Sequence, residues 1–579
     1  MRAKVLAVND ENRIRNGSDI RESIMNSPIH TTGRGWMAVI AGVALAVSAS
    51  AQGTLNTWLG GNGDWTNTAS WSAGLAPIAT DVVSITNATS SYAVSINSGT
   101  TATTLTNYSL SIGHDAGSFT QTLVVSSAPA ALQQQSIITI RPKGVLDVAG
   151  STIAARSNIL VQGTLISTDS VFTVSAASSS DAGLVIDGAT ARACFHGGSI
   201  TATNTSGIAS IVVGGPNSPA AVLGITNTTL NNLQIQMKRN GTVHVDNRGL
   251  TTTNNTVFAV NPSHDTPVSL TVAGGNFLNT TAEIYVQRNG RMTNSGAWMQ
   301  CKSLYVGQVG GSGQSAAFVL AGGTNLFTAN PARVTIGYTA GNTGTVTVTS
   351  GLLWGRGMSI GNVGGSVGVF ELTGGTTSMT NANTGGAVIG VQVGPTGRGY
   401  YRQSGGTLNA FNVVLGTNAW EFQVGTAGVV RVIDATGFSN AAPASISNTF
   451  NLAGSLGFAP DTGAGVVTQH LALAGQDLGS SLNGYSNNFA VGTLDLSAFT
   501  STRRLKVLAP SSQSSTGLYV GTLNATVATA TNSLISSFNI YYDDVRNPGY
   551  AGLTYPLSGG GQLIPVRTIA EGGTVLSFR

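Results

Sequence analysis

Leu304-Tyr305-Val306-Gly307, Val334-Thr335-Ile336-Gly337, Met358-Ser359-Ile360-Gly361, Ala387-Val388-Ile389-Gly390 and Val413-Val414-Leu415-Gly416 recur at spacings of 30, 24, 29 and 26 residues. Between them lie second alternations, most closed by a glycine pair: Phe318-Val319-Leu320-Ala321-Gly322-Gly323, Val346-Thr347-Val348, Phe370-Glu371-Leu372-Thr373-Gly374-Gly375 and Tyr400-Tyr401-Arg402-Gln403-Ser404-Gly405-Gly406. Apolar and polar residues alternating at period two mark strands, and no stretch of helical period interrupts residues 100–430. A unit of about 25 residues holding two or three short strands cannot bury its own apolar face and must stack on the next copy. Glycine at the corners supplies backbone conformations that a residue with a Cβ reaches only at a cost.

The expected fold is therefore all-β: a parallel β-solenoid (β-helix) with a Trp-rich N-terminal cap and a C-terminal β-region. The expected divisions are a signal peptide at 1–51, the Trp-rich cap at 52–99, solenoid repeats at 100–430 and the C-terminal β-region at 431–579, a possible cover for the far end. About 13 layers at the ordinary strand spacing would make a rod of roughly 60 Å. The first half carries one echo of the repeat: Lys238-Arg239-Asn240-Gly241 and Gln287-Arg288-Asn289-Gly290 lie 49 residues apart. This places Arg239 and Arg288 on the same edge, two layers apart. Cys194 and Cys301 are 107 residues apart, about four layers or nearly 20 Å. A disulfide needs Cα atoms within about 7 Å, so two unpaired thiols are expected.

Only 50 of the 579 residues are charged, against 76 glycines and 2 cysteines. A charged fraction of 9%, far below the ~25% of ordinary domains, argues against coiled coils, basic nucleic-acid binders and charge-rich disordered chains. Near the start, Arg34 precedes an apolar run from Trp36 to Val47 and then Ala49-Ser50-Ala51-Gln52. This reads as a secretory signal cleaved near Ala51-Gln52, too short to span a bilayer, with Met25 as an alternative start. The mature chain keeps 21 basic and 19 acidic residues. So balanced a surface steers no strongly charged partner, which speaks against nucleic acid and anionic membrane. No integral membrane span is expected in the mature chain. Its expected location is secreted or cell-surface.

Trp58, Trp65 and Trp71, followed by Gly74, Pro77 and Asp81, open the mature chain. They read as a cap over the first sheet edge, and alternatively as a platform on which glycan rings stack. Gly364-Gly365-Ser366-Val367-Gly368 matches the nucleophile-elbow pattern, but it lies between repeat strands with no helix following. Gly60-Gly61-Asn62-Gly63-Asp64 is a single copy of a pattern that binds calcium only in tandem. Positions two apart on a strand share a face, so His244 and Asp246 would sit side by side, near Lys238, Arg239 and Arg248. If the chain is an enzyme, Arg239, His244, Asp246 and Arg288 are its catalytic candidates; a solvated edge is the plainer reading. Asp543-Asp544-Val545-Arg546 reads as a turn with an internal ion pair. No residue spacing proposes a cofactor or a metal site.

The Gly-corner units of 304–416, with Leu110-Ser111-Ile112-Gly113, resemble the short repeats of type V secreted (autotransporter-like) passengers and of exported bacterial proteins with a PEP-CTERM sorting tail. The Trp58 to Asp81 segment is similar to the opening of many such proteins. Tyr541-Tyr542-Asp543-Asp544, running into Gly552-Leu553-Thr554-Tyr555-Pro556-Leu557-Ser558-Gly559-Gly560-Gly561, is similar to their later segments. The resemblance covers about half the mature chain and implies a β-helical passenger, an exported location and structural or adhesive roles. The chain departs from both patterns: it ends Leu576-Ser577-Phe578-Arg579 without a Pro-Glu-Pro tail, and no membrane barrel is legible in its last segment. Release, or retention by another component, is expected.

Two functions follow from these readings. The first is a non-catalytic exported structural, adhesive or matrix component of the bacterial surface, with extracellular polysaccharide or other surface proteins as partners. The second is a β-helix glycan-active enzyme, a polysaccharide lyase or hydrolase, or a glycan-binding protein. They differ in one arrangement: the enzyme requires two or more of Asp181, Asp187, Asp246, Asp265 and Glu283 to converge with Lys238, Arg239 or Arg288 in one groove.

Overall fold

A computed structural model of the protein describes residues 53–567 apart from 101–104, 176–181, 205–208, 216–219, 232, 247–250, 254–257, 261–266, 309–312, 329–332, 381–389, 459–464 and 511–515. The expected signal segment, Asp181, Arg248 and Asp265 lie outside these residues. The described chain is mostly β. Among the described residues there is one α-helix, Val527–Ser533, whose N-cap Thr526 hydroxyl accepts from the Thr529 N–H at 3.1 Å. No described helix is long and apolar enough to cross a membrane.

Almost every pairing is parallel; most strands from Val82–Ile85 to Ala419–Val424 pair with the third strand after them, and the remainder with the first or second. Val82–Ile85 pairs with Ser109–Ile112, Tyr92–Ile96 with Gln121–Ser126, and Leu105–Asn107 with Leu132–Gln134. From Val429–Val432 onward the parallel pairings are with the second strand after, as far as Ile540–Asp543, which pairs with Gln562–Val566. Both sequence-derived boundaries are crossed. Val82–Ile85 of the Trp-rich segment joins the ladder, and beyond 430 Val429–Val432 continues it onto Phe450–Phe458.

Parallel sheets are usually covered on both faces and read as unbroken apolar runs. Here the strands alternate, because only one side of each packs inward. Along Gln121–Ser126 buried and half-buried residues alternate, and Gly144–Ala149 repeats the pattern in register. In-register pairing puts like on like. Phe370, Tyr401, Phe422 and Phe450 occupy successive positions of one buried row, and their rings stack with centroids 5.5, 4.8 and 5.6 Å apart.

The corner glycines behave as their spacing predicts, with one correction. Gly307, Gly337 and Gly361 have φ of 80, 71 and 72°, and a Cβ on Gly337 would lie 2.5 Å from the Val367 carbonyl oxygen. Val391–Val393, not the expected Ala387-Val388-Ile389, stacks on Met358–Ile360, and Gly394 at φ 63° is the matching corner. The two segments carry the same apolar-x-apolar-Gly signature four residues apart, and that signature alone does not choose between them. Residues 381–389 lie outside the described chain.

Antiparallel elements sit at both extremes of the ladder. Near the first strand, Leu55–Thr57, the Ser72 N–H donates to the Thr57 carbonyl and the Leu59 N–H to the Ser70 carbonyl, each at 2.8 Å. At the last, Tyr555–Pro556 runs antiparallel to Gln562–Val566.

Candidate functional site

Arg239 and Arg288 occupy equivalent places in the ladder. Met237 stacks on Val260 and Val260 on Val286, while Thr242 stacks on Ser269 and Ser269 on Arg291. Each arginine thus lies in a corner between matched points, two layers from the other. The corners are not conformational copies: the left-handed residue is Asn240 in the first and Arg288 in the second. His244 is exposed on the next strand, stacked between Gly224 and Thr271, and Asp246 is in register with Thr226.

Of the acids expected to join them, Asp187 follows Ile186, which stacks through Val213 on Met237, so it lies in the same column of corners as Arg239, whereas Glu283 is engaged by other partners. Glu283 ion-pairs with Lys302 at 2.8 Å and accepts the Tyr285 hydroxyl. Burial alone would raise its pKa, but these two partners outweigh it and hold the carboxyl below its ordinary value. Asp187 is buried under Gly215, where an added Cβ would lie 2.2 Å from its carboxylate carbon. Asp181 and Asp265 lie outside the described residues. Among the described residues no three His, Cys, Asp or Glu side chains converge to hold a metal ion.

The tryptophans are a correction to the stacking-platform reading. Trp58, Trp65 and Trp71 are 0–1% exposed. Trp71 meets the other two edge-to-face at centroid distances of 5.0 and 5.1 Å. The Trp58 and Trp71 indole N–H groups donate to Gly61 and Trp65 carbonyls at 2.9 and 2.8 Å. Rings buried on each other offer no face to a sugar; they form the core of the segment that pairs along the first strand. Asp81 ties that segment down, accepting from the Asn56 side chain and the Ile78 N–H at 3.3 and 3.1 Å.

The remaining motifs take structural parts. The Ser366 hydroxyl is fully buried and lies 2.7 Å from both the Gly337 and Val363 carbonyls, closing a corner. Asp64 accepts the Thr66 N–H at 2.9 Å within its own turn. Arg546 ion-pairs with Asp543 at 3.3 Å. Both cysteines are free.

Charge instead concentrates on the outward side of the aromatic row. Arg402 binds Glu421 through two bonds of 2.8 and 2.9 Å and reaches Glu371 of the neighbouring layer at 3.6 Å. Beside them is a cavity of about 350 Å³ lined by Glu371, Thr373, Arg402, Gln403, Ser404, Gln423, Gly425 and Asn451. A second, of about 360 Å³, shares Asn451 and extends past Tyr485 to Asp543 and Arg546. None of Arg239, His244, Asp246 and Arg288 lines either cavity. No family model, curated protein or solved structure matches the chain.

The ladder is interrupted at this cluster. Gly399 pairs with Ala419 but Tyr400 with Glu421, so Trp420 is the extra residue of a β-bulge. It is 46% exposed, and the Arg398 guanidinium lies 4.4 Å from its ring centroid. Sequence reasoning passed over this group. Glu371 and Arg402 were visible as charges at outward positions of adjacent repeats, a signal in a chain so poor in charge. The Arg398–Trp420 pairing depends on the bulge, which no spacing announces.

Proposed function

We propose that the parallel ladder is a β-solenoid, and that the chain is a non-catalytic, exported structural, adhesive or matrix component of the bacterial cell surface. The observation that carries this reading is the parallel layer-on-layer pairing along almost all of the described chain. Such a ladder lays out extended outward rows, such as Thr271, Thr293, Val319 and Thr347, suited to many weak contacts rather than one deep pocket. Glu283, one of the acids such a groove would draw on, is committed to an ion pair with Lys302, which favours a scaffold over a glycan-active enzyme. The resemblance of the Gly-corner repeats to exported passengers supports the location.

Two measurements test it. Protease treatment of intact cells should digest the protein while a cytoplasmic marker survives; a fully protected protein overturns the surface reading. Incubation with a panel of polysaccharides should release no new ends; cleavage that is lost in Arg239→Ala overturns the non-catalytic reading.

A further inference from the structure

We propose that Trp420 and Arg398 form a binding subsite for an acidic polysaccharide, a chain of pyranose units bearing uronate carboxylates. This names a ligand for the adhesive function proposed above and rests on that reading. The bulge turns one large amphipathic ring outward from a strand whose neighbours Ala419 and Phe422 are buried. An indole face suits the C–H-bearing face of a pyranose ring, and here it borders a polar run instead of an apolar patch.

Arg398 supplies the charge preference. It is exposed, and no ion pair with a carboxylate holds it among the described residues, whereas neighbouring Arg402 is committed to both Glu421 and Glu371. A planar guanidinium held over an aromatic ring presents its N–H fork to a carboxylate in bidentate geometry. From Arg398 the strand Arg398–Gln403 passes Tyr400, whose ring lies 5.6 Å from Arg402, and ends beside Ser404 at the cavity. Six residues of strand span about 20 Å, room for several sugar units and not just one. Gln423 and Asn451 line the far end, where hydroxyl groups would be met by neutral donors and acceptors.

The test is affinity electrophoresis of the full chain in gels containing polygalacturonate, with dextran as the neutral probe. The wild type should be retarded by polygalacturonate, and less so as salt is raised. Trp420→Ala and Arg398→Gln should each weaken retardation by about tenfold or more, the usual cost of losing an aromatic or arginine anchor. Both side chains are exposed, so unchanged thermal midpoints confirm intact variants. Absence of retardation of the wild type, equal retardation of both variants, or equal retardation by dextran overturns the proposal. Because binding is read on the purified chain, a protease-protected protein in cells would sink the surface function and leave this subsite standing. A surface protein without retardation would do the reverse.

Discussion

At Gly337 the backbone has φ of 71°, and a Cβ would sit 2.5 Å from the Val367 carbonyl oxygen of the next layer. Gly337→Ala should therefore cost about 1–3 kcal/mol from backbone strain alone, measured by denaturant unfolding. Gly364→Ala, at a position with open space and no left-handed φ, should stay within ~0.5 kcal/mol of the wild type. Equal effects would mean that the corner does not depend on glycine. Glu283 gives a second test. Its carboxyl is held below the ordinary value of 4.5 by Lys302 and Tyr285 despite burial, so its stabilising contribution is complete above that value. It is lost as pH falls through the lowered folded-state value. Lys302→Met should flatten that part of the acid-unfolding profile and leave its shape near neutral pH unchanged.

In the buried row, Tyr401 is fully enclosed between Phe370 and Phe422, and its hydroxyl donates to Gln403 Oε1 at 2.8 Å. Tyr401→Ala should cost about 3–5 kcal/mol, whereas Tyr401→Phe, keeping the ring, should cost about 1 kcal/mol. A small loss in the alanine variant would show that the row is not packed as a unit. The strands of this row were legible in the sequence because alternation and Gly corners are local signals. Their register was less so: Ala387-Val388-Ile389-Gly390 and Val391-Gln392-Val393-Gly394 satisfy one pattern, and stacking selects the second. The site was mostly illegible. Arg239 and Arg288 could be placed by counting, but Trp420 meets Arg398 only because a bulge shifts the pairing by one residue. The Trp58 cluster could be found but not settled, since a cap and a sugar platform call for the same residues and differ only in burial.

Across the molecule, the apolar interior is shared from layer to layer, and an uncovered last layer would be an adhesive edge. Deleting residues 53–73 removes the segment whose Ser72 N–H reaches the Thr57 carbonyl, together with the first strand and the three buried tryptophans. The truncated chain should self-associate with rising concentration, seen as growth in light scattering, where the intact chain does not. A truncated chain that stays monodisperse would show that this segment guards nothing. At the opposite extreme Tyr555–Pro556 lies against Gln562–Val566, whose Pro565 has no N–H to offer a further strand. Where the described end rows are paired in this way, fewer backbone donors and acceptors are left for head-to-tail growth. That favours meeting side by side, along flanks whose chemistry is set by outward residues such as Trp420 and not by the backbone.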